Sequence, residues 1–294
     1  MVVGPSSHTL ANGRLHFQHG PIDIVAYAQG NPVQVRRAHE DAWRRFSTVL
    51  DELVTELVPL RSAVGSQCAL RGDVARTMWD ACHRCADGFI TPMAAVAGSV
   101  AQALIASYDR PGIERAWINN GGDIALHLAQ GFSVRVGLFA DLARFDDAML
   151  QSGVRSDGVM EIDAAMEVRG VATSGWRGRS HSLGVADSVT VLASTAALAD
   201  AAATVIANAV DVADPGIVRR PASSVKDDSD LGDIPVTVAV PPLDEGKIAL
   251  ALRRGLEVAH RLRCRGLVSE CVLTCQGWWV STQCGNVTRI ARSD

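Results

Sequence analysis

The alternation of apolar and polar positions predicts short strands and amphipathic helices, without a regular strand–helix repeat. Residues 14–30 alternate in short runs on both sides of a Gly-Pro pair, which favours two strands joined by a turn. Residues 31–64 follow with apolar side chains at helical spacing and charges on the opposite face, which predicts an amphipathic helix. Two further helices are predicted, over residues 75–86 and 90–108.

The second half of the chain continues this mixture. Residues 115–139 predict three strands, the first two joined at Asn-Gly-Gly, because this sequence supplies the positive φ angles that tight hairpins need. An alanine-rich helix follows, with Ser194 or Thr195 as its N-cap, and residues 219–233 are the best loop candidate. Further elements are predicted as a strand at 234–240, a helix at 244–263 and strands within 266–282. Helices and hairpins mixed in this way indicate an α+β fold with largely antiparallel sheets.

Composition and charge narrow the classes of partner. The 294 residues include 28 Lys and Arg against 32 Asp and Glu, a net charge of −4 that gives no reason to expect nucleic acid or an anionic membrane. The most apolar long stretch, 189–210, is interrupted by Asp200 and Asn208, so it is a poor membrane span. The N-terminal residues lack a basic region followed by a long apolar run. We therefore expect a cytoplasmic protein.

The seven cysteines are an odd number scattered along a long chain, which fits reduced thiols better than a disulfide framework. Cys82 and Cys85 lie close together in CHRC, and Cys271 and Cys275 form a distant second pair. A zinc site needs four well-spaced ligands. Structural thiols are therefore the favoured interpretation of both pairs.

The alanine-rich stretch ADAAATVIANAV carries three polar residues four positions apart, Asp200, Thr204 and Asn208. On a helix their side chains share one face. A carboxylate and a hydroxyl are oxygen ligands suited to Mg²⁺, although the same line could be the solvated stripe of a helix. No Lys, Arg or Glu occurs between residues 193 and 210, which favours close packing around a site. Asn208 either extends that site or makes a hydrogen-bonded helix contact.

Two glycine-containing segments are further candidates. NNGGDI contains Asn119, Gly121, Gly122 and Asp123, and its paired glycines either let backbone approach a ligand or form an ordinary hairpin turn. ATSGWRGRSHS spans residues 172–182 and combines hydroxyls with arginines, which bind phosphate oxygens in a fork. It is either an anion-binding segment or a polar surface loop.

The motifs in these segments, in this order, resemble those of the ApbE superfamily, the FAD:protein FMN transferases. The family's glycine-rich hairpin GGD, followed by Ile or Leu, is matched by residues 121–124, and its ATSG motif by residues 172–175. Its Asp followed by Thr four residues later is matched by Asp200 and Thr204. The similarity spans roughly residues 90–210.

The resemblance implies an ApbE-like domain over residues 12–290, built from two T-fold-like halves around 12–140 and 141–290 with the site between them. It implies that Asp200 and Thr204 hold Mg²⁺ beside the pyrophosphate of FAD, and that FMN passes to a threonine of a protein acceptor with release of AMP. His181 is the candidate acid or base beside Asp200. The implied ligand-lining residues are Asn119, Gly121, Gly122, Asp123, Thr173, Ser174 and Gly175.

Two family motifs are altered. Ala97, Gly98 and Gln102 stand where the family has KGYAxD, and only His181 and Asp187 lie where it has HIxDP. A Mg²⁺-dependent transferase acting on FAD, FMN or a related phosphorylated ligand is the leading function. The alternative is a non-catalytic protein that binds a flavin, a pterin or a nucleotide, serving the biosynthesis of a pterin cofactor of one-carbon metabolism.

Overall fold

Helices and antiparallel strands alternate irregularly along the chain, which confirms the α+β class predicted from the sequence. This computed structural model describes residues 4–138, 158–178, 181–227 and 229–290. The chain divides into two compact units. The first consists of the described parts of Met1–Arg135, Glu161–Ala172 and Leu192–Ala201, and the second of those of Val136–Met160, Thr173–Val191 and Ala202–Asp294.

The first unit contains an antiparallel sheet whose first five strands lie in chain order. The fifth of these strands, β5, also pairs with the start of β8, where Ile124 lies opposite Val171. A separate pair is formed by β6 and β7. The strands are β1 (Ser6–Thr9), β2 (Leu15–His19), β3 (Ile22–Gly30), β4 (Ile113–Asn120), β5 (Asp123–Leu128), β6 (Ser133–Leu138), β7 (Gly158–Asp163) and β8 (Gly170–Ser174).

Four helices pack against this sheet or against one another. They are α1 (Pro32–Thr55), α2 (Leu57–Leu60), α3 (Asp73–Cys85) and α4 (Val96–Ile105), the last preceded by a 3₁₀ turn over Pro92–Ala95. Asn31 caps α1, because its side-chain oxygen accepts the N–H groups of the second and third helical residues. Phe17 and Phe46 meet with ring centroids 5.3 Å apart and are fully buried. Burying one such ring contributes about 2–3 kcal/mol to folding.

Helix α1 is shorter than the 31–64 predicted from its periodicity. It ends at Thr55, four residues before Pro59. Proline has no N–H to donate to the carbonyl four residues earlier, and its ring crowds that carbonyl. The short α2 takes over the remainder of the predicted segment.

The second unit contains antiparallel pairs at β12–β13, β13–β14 and β10–β11. Asp244 is the N-cap of the long helix α7, and its carboxylate accepts the N–H of Lys247. The remaining elements of the chain are β9 (Ser188–Ala193), α5 (Ala196–Ala209), β10 (Val218–Pro221), α6 (Ala222–Val225), β11 (Pro235–Ala239), α7 (Glu245–Cys264), β12 (Glu270–Cys275), β13 (Trp278–Ser281) and β14 (Thr288–Arg289). The residues of β9 and α5 within Leu192–Ala201 belong to the first unit.

Two local predictions are wrong or incomplete. Residues 219–233 are not a simple loop, since β10 and α6 lie within them and β10 pairs with β11. Tertiary pairing overrides the turn-forming composition there. Strand β1 was not predicted, because its four residues are all exposed and carry no apolar alternation. Most of the polar segment 141–168 lies outside the described residues.

All seven cysteines are free thiols, as predicted, and four of them are buried. Helix α3 carries Cys82 and Cys85, and strand β12 carries Cys271 and Cys275. In the part of the chain that the structure describes, no helix is both long enough and apolar enough to cross a membrane.

Candidate functional site

The glycine motif forms the turn between β4 and β5. Asn120 pairs with Asp123, so Gly121 and Gly122 make a two-residue turn with φ angles of +67° and +112°. Only glycine adopts such angles without steric cost. The side-chain oxygen of Asn119 accepts the N–H of Gly122 at 2.8 Å and fixes the turn. The hairpin that the sequence predicted is therefore present, and Asn119 has a structural role in it.

Asn120 connects this hairpin to α4. Its side chain is buried, and its Nδ2 donates a hydrogen bond to the carbonyl oxygen of Ala97 at 3.1 Å. Asn120 is not among the site residues predicted from the sequence. The available signal was its position at the end of an alternating strand, on the same side as the apolar Ile118.

Asp200 lies on α5 and points its carboxylate at the N-terminus of α4. Its Oδ2 accepts the backbone N–H of Gly98 at 2.8 Å. Burial of the carboxylate raises its pKa to about 7, although hydrogen bonds from the backbone N–H groups of Gly98 and Ala97 lower it. A carboxylate at this place also interacts favourably with the positive end of the helix dipole.

The two helices cap each other at this point, which we call the α4–α5 corner (Gly98, Gln102, Ala197 and Asp200). While Asp200 of α5 caps α4, the Gln102 side-chain oxygen of α4 accepts the N–H of Ala197 in the first turn of α5, at 3.1 Å. A Cβ at position 98 would lie 2.3 Å from the carbonyl oxygen of Ala196. Glycine is therefore required for the helices to approach this closely.

The N-cap of α5 is Thr195, one of the two residues predicted. Its Oγ1 accepts the N–H of Leu198 at 3.3 Å. Gly170 of β8 packs against it, since a Cβ there would lie 2.3 Å from the Thr195 carbonyl oxygen. The start of α5 is thus held by its own cap, by Gln102 and by a glycine contact.

The remaining polar residues of α5 differ from each other. Thr204 follows Asp200 by one turn, is partly exposed, and its hydroxyl makes no hydrogen bond to any residue that the structure describes. The Asn208 side-chain oxygen accepts two hydrogen bonds, from the hydroxyl of Ser182 at 3.1 Å and the N–H of Leu183 at 2.9 Å. Asn208 therefore makes a hydrogen-bonded contact, but with a loop rather than with the helix that the second interpretation expected.

Thr173 and Ser174 end strand β8, and Gly175 follows. The hydroxyls of Thr173 and Thr190 lie 3.0 Å apart, and Ser174 is partly exposed. A Cβ at Gly175 would lie 2.5 Å from the carbonyl oxygen of Asp187, so this glycine permits a close backbone approach.

Asp187 is a buried carboxylate beneath this segment. Its two oxygens accept the indole N–H of Trp176, at 3.3 Å, and the backbone N–H of Gln276. Burial and the charge of Asp187 raise the pKa of the Cys275 thiol to about 12. Arg177 stacks over the Trp176 ring, with its guanidinium carbon 4.7 Å from the ring centroid. Arg179 lies outside the described residues.

His181 precedes the loop that Asn208 holds. Its Nε2 is buried and has no hydrogen-bond partner among the described residues. A ring nitrogen without a partner can exchange a proton with a ligand, which is compatible with the acid or base role expected of His181.

Two cavities in the first unit are lined by none of the predicted site residues. One, of about 630 Å³, is lined by Leu128, residues 130–133, Glu161 and residues 163–165. The other, of about 690 Å³, lies beside Glu56, whose carboxylate accepts the N–H groups of Arg71 and Gly72 just before α3. The candidate site therefore rests on the motif residues and not on either cavity.

The donor chemistry of α5 fits Mg²⁺. In the described residues, no group of three or more His, Cys, Asp or Glu side chains is arranged to hold a metal ion. Asp200 and Thr204 are oxygen donors one helical turn apart, and the hydroxyl of Thr204 makes no competing hydrogen bond within the described chain. Mg²⁺ commonly keeps several waters and is bound through one or two carboxylates together with substrate phosphates, so the chemistry of this pair is compatible with such an ion.

Solved structures give a remote likeness. The ApbE protein of Thermotoga maritima is 12% identical, with a TM-score of 0.43, over 98% of this chain and 100% of that one. The flavin transferase ApbE of Vibrio cholerae is 12% identical, with a TM-score of 0.45, over 94% and 96% of the two chains. Likeness this remote carries no argument about function.

Sequence comparisons are more direct. A UPF0280 protein of Methanospirillum hungatei is 35% identical over 137 residues, which are 46% of this chain and 52% of that protein. A UPF0280 protein of Methanopyrus kandleri is 35% identical over 196 residues, 65% of this chain and 70% of that one. The chain thus spans about half the length of the first of these relatives and somewhat more of the second.

The family model described as "AbpE bacteria" matches residues 7–284. This range contains the glycine hairpin, the Thr173–Gly175 motif and the Asp200–Thr204 pair, from which the ApbE-like resemblance was predicted. That prediction is confirmed: the chain belongs to the family described as AbpE bacteria.

Proposed function

We propose that this protein is a Mg²⁺-dependent transferase that acts on a flavin-type ligand, FAD or FMN, or on a related phosphorylated ligand. The observation that carries the proposal is the family match over residues 7–284, which contains all three motifs in order. The proposed partners are a nucleotide-like small molecule and a protein acceptor.

In this proposal Asp200 and Thr204 bind the metal. When bound, Mg²⁺ would offset the negative charge of the ligand's phosphates. Support comes from the free hydroxyl of Thr204 within the described chain and from the helical spacing of the pair. Asp200 keeps acceptor capacity besides its bond to Gly98, since an ionised carboxylate offers about four lone-pair sites.

The glycine hairpin and the Thr173–Gly175 motif would line the ligand. Gly121 and Gly122 expose backbone without side chains, which allows a ligand to approach closely. Asp123, Thr173 and Ser174 would supply oxygen atoms for hydrogen bonds beside Asn119 and Gly175. His181 would exchange a proton with the reacting group together with Asp200, supported by the buried and unpaired Nε2 of His181 in the described structure.

Incubation of the purified protein with FAD tests the proposal. With no protein acceptor added, water takes the FMN phosphoryl group, so we expect FMN and AMP to appear with Mg²⁺, to be absent when EDTA replaces Mg²⁺, and to fall at least tenfold in Thr204→Val. Chromatography separates AMP from FAD and FMN. If the wild-type protein neither releases AMP nor binds any flavin, the proposal is wrong.

The second candidate is a non-catalytic protein that binds a flavin, a pterin or a nucleotide, serving the biosynthesis of a pterin cofactor of one-carbon metabolism. The capping role of Asp200 favours it, because the carboxylate already has a structural partner in Gly98. Gln102, at the position of the family's acidic residue, is likewise used to cap α5. A ligand that co-purifies and is identified by mass spectrometry, without AMP release from FAD, would select this candidate.

A further inference from the structure

Trp176 follows the Thr173–Gly175 motif directly and is held in place from several sides. Its backbone N–H donates to the carbonyl oxygen of Ala186 at 3.0 Å, and its indole N–H donates to the carboxylate of Asp187 at 3.3 Å. Arg177 covers one face of the ring, with 4.7 Å between its guanidinium carbon and the ring centroid. The indole is partly exposed, and Arg177 is exposed. An aromatic ring at the surface is therefore fixed in orientation.

The group that fixes the ring is costly to bury. Asp187 is only 5% exposed, and a buried carboxylate destabilises the fold unless its oxygens are hydrogen-bonded. One of its partners is the backbone N–H of Gln276, which opens the two-residue turn between β12 and β13 and has the left-handed φ of +46° that such a turn requires. Asp187 thus ties the indole of Trp176 to this turn. The arrangement fits a ring that is presented in one orientation.

A second arginine–tryptophan pair in the molecule provides a contrast. Arg14 lies over Trp117, with 5.0 Å between its guanidinium carbon and the ring centroid, and Trp117 also stacks on Tyr27, with 5.8 Å between centroids. Both aromatic residues lie on paired strands, opposite each other. Trp117 thus has an aromatic partner besides its arginine, whereas the described residues give the Trp176 ring Arg177 on one face and Asp187 at its edge.

We propose that Trp176 and Arg177 recognise the ligand of the Thr173–Gly175 motif, as a planar heterocycle that carries a phosphate. This inference rests on the proposed function. The indole stacks on the heterocycle, and the guanidinium forms hydrogen bonds to the phosphate oxygens. Because the indole is already oriented, little conformational entropy is lost when the ligand binds.

Three flavins separate the two contacts. Riboflavin has the ring without a phosphate, FMN has one phosphate, and FAD has two. We would titrate each into the wild-type protein, Trp176→Leu and Arg177→Gln, and follow flavin fluorescence. The matched controls are Trp117→Leu and Arg14→Gln, which remove the same residue types at the other pair. If Trp176→Leu does not fold, Trp176→Phe replaces it in the titrations. This variant keeps an aromatic ring but loses the indole N–H.

We expect Trp176→Leu to weaken binding of all three flavins about tenfold, as loss of one stacking contact does. Arg177→Gln should weaken FMN and FAD about fivefold or more and riboflavin less than twofold, because only the phosphate contact is lost. The control variants should stay within twofold of wild type. If Trp176→Leu folds poorly, Trp176→Phe should weaken all three flavins by at least twofold.

Equal affinities of wild type, the Trp176 variant that folds and Arg177→Gln for every flavin would overturn this inference alone and leave flavin binding intact. If Arg177→Gln weakens binding of riboflavin and of FMN equally, the proposed contact between Arg177 and the phosphate is wrong. If the wild-type protein binds no flavin, the proposed function fails and this inference with it.

Discussion

The α4–α5 corner and the segment of residues 173–177 use polar side chains in different ways. In the corner, Asp200 and Gln102 each satisfy a backbone N–H at the start of the other helix. In the segment, the side chains of Ser174 and Trp176 are partly exposed, and the indole is itself held by a buried carboxylate. The polar residues of the corner therefore stabilise the fold directly. Those of the segment instead depend on buried groups of the fold, such as Asp187, for their positions.

This difference separates two kinds of evidence for a site. A motif residue that also caps a helix is under two constraints, so its presence alone does not reveal a ligand. A partly exposed residue that is held in position by buried groups points to a ligand more strongly. Substitutions should consequently reduce stability in the corner and ligand affinity in the segment.

The largest effect is expected in the corner from Gly98→Ala. The new Cβ would lie 2.3 Å from the Ala196 carbonyl oxygen and 2.8 Å from the Cβ of Asp200, so the helices must separate. We expect a loss of about 3 kcal/mol in the free energy of unfolding, measured by urea denaturation. Gly65→Ala is the matched control, since no atom lies within 4 Å of a Cβ there. Similar stabilities of the two variants would contradict the close contact.

A smaller effect is expected when the cap of α4 is removed. Asp200→Ala leaves the N–H of Gly98 without its acceptor, which should cost about 1–2 kcal/mol. Asp200→Asn keeps an acceptor oxygen and should unfold within about 0.5 kcal/mol of wild type. Thermal and urea unfolding measure both. Equal destabilisation by the two substitutions would show that charge, rather than capping, is what the corner requires.

Asn208 tests whether the far end of the same helix also supports the fold. Asn208→Ala removes the acceptor of the Ser182 hydroxyl and the Leu183 N–H, and we expect a loss of about 1 kcal/mol. Ser182→Ala, which removes one of the two donors, should cost less. If Asn208→Ala is as stable as wild type, the hydrogen bonds to this loop contribute nothing to the fold.

Ser174 should give the smallest change in stability. Its hydroxyl is partly exposed and has no hydrogen-bond partner in the described residues, so Ser174→Ala should change the unfolding free energy by less than about 0.5 kcal/mol. The affinity for FAD should nevertheless fall severalfold, measured by fluorescence titration. A stability loss as large as that of Asp200→Ala would remove the contrast between the two regions.

Local sequence signals predicted much of the fold because they act over a few residues. Thr195 as N-cap and the turn at Gly121 and Gly122 follow from the conformational preferences of these residue types. The partner of Asp200 could not be predicted in the same way, because Gly98 is 102 residues away in sequence. The same holds for Asp187 and Gln276, which are separated by 89 residues.

The candidate site was predictable only as a set of residues. Spacing alone put Asp200, Thr204 and Asn208 on one face of a helix. In the structure each of these residues is intermediate in exposure, although the carboxylate of Asp200 itself is buried, and the other residues of α5 up to position 207 are buried. Periodicity could not reveal that two of them already have hydrogen-bond partners and that Thr204 has none among the described residues. Thr204 is therefore the most informative residue of the proposed metal pair.

The central claim is tested most directly by the effect of Mg²⁺ on FAD affinity in wild type and Thr204→Val. The isosteric valine removes only the hydroxyl, which makes no hydrogen bond within the described chain, so the fold should be preserved. We predict that Mg²⁺ strengthens FAD binding at least tenfold in wild type and less than twofold in the variant. An equal Mg²⁺ effect in both proteins, or none in wild type, would contradict a metal held by Asp200 and Thr204.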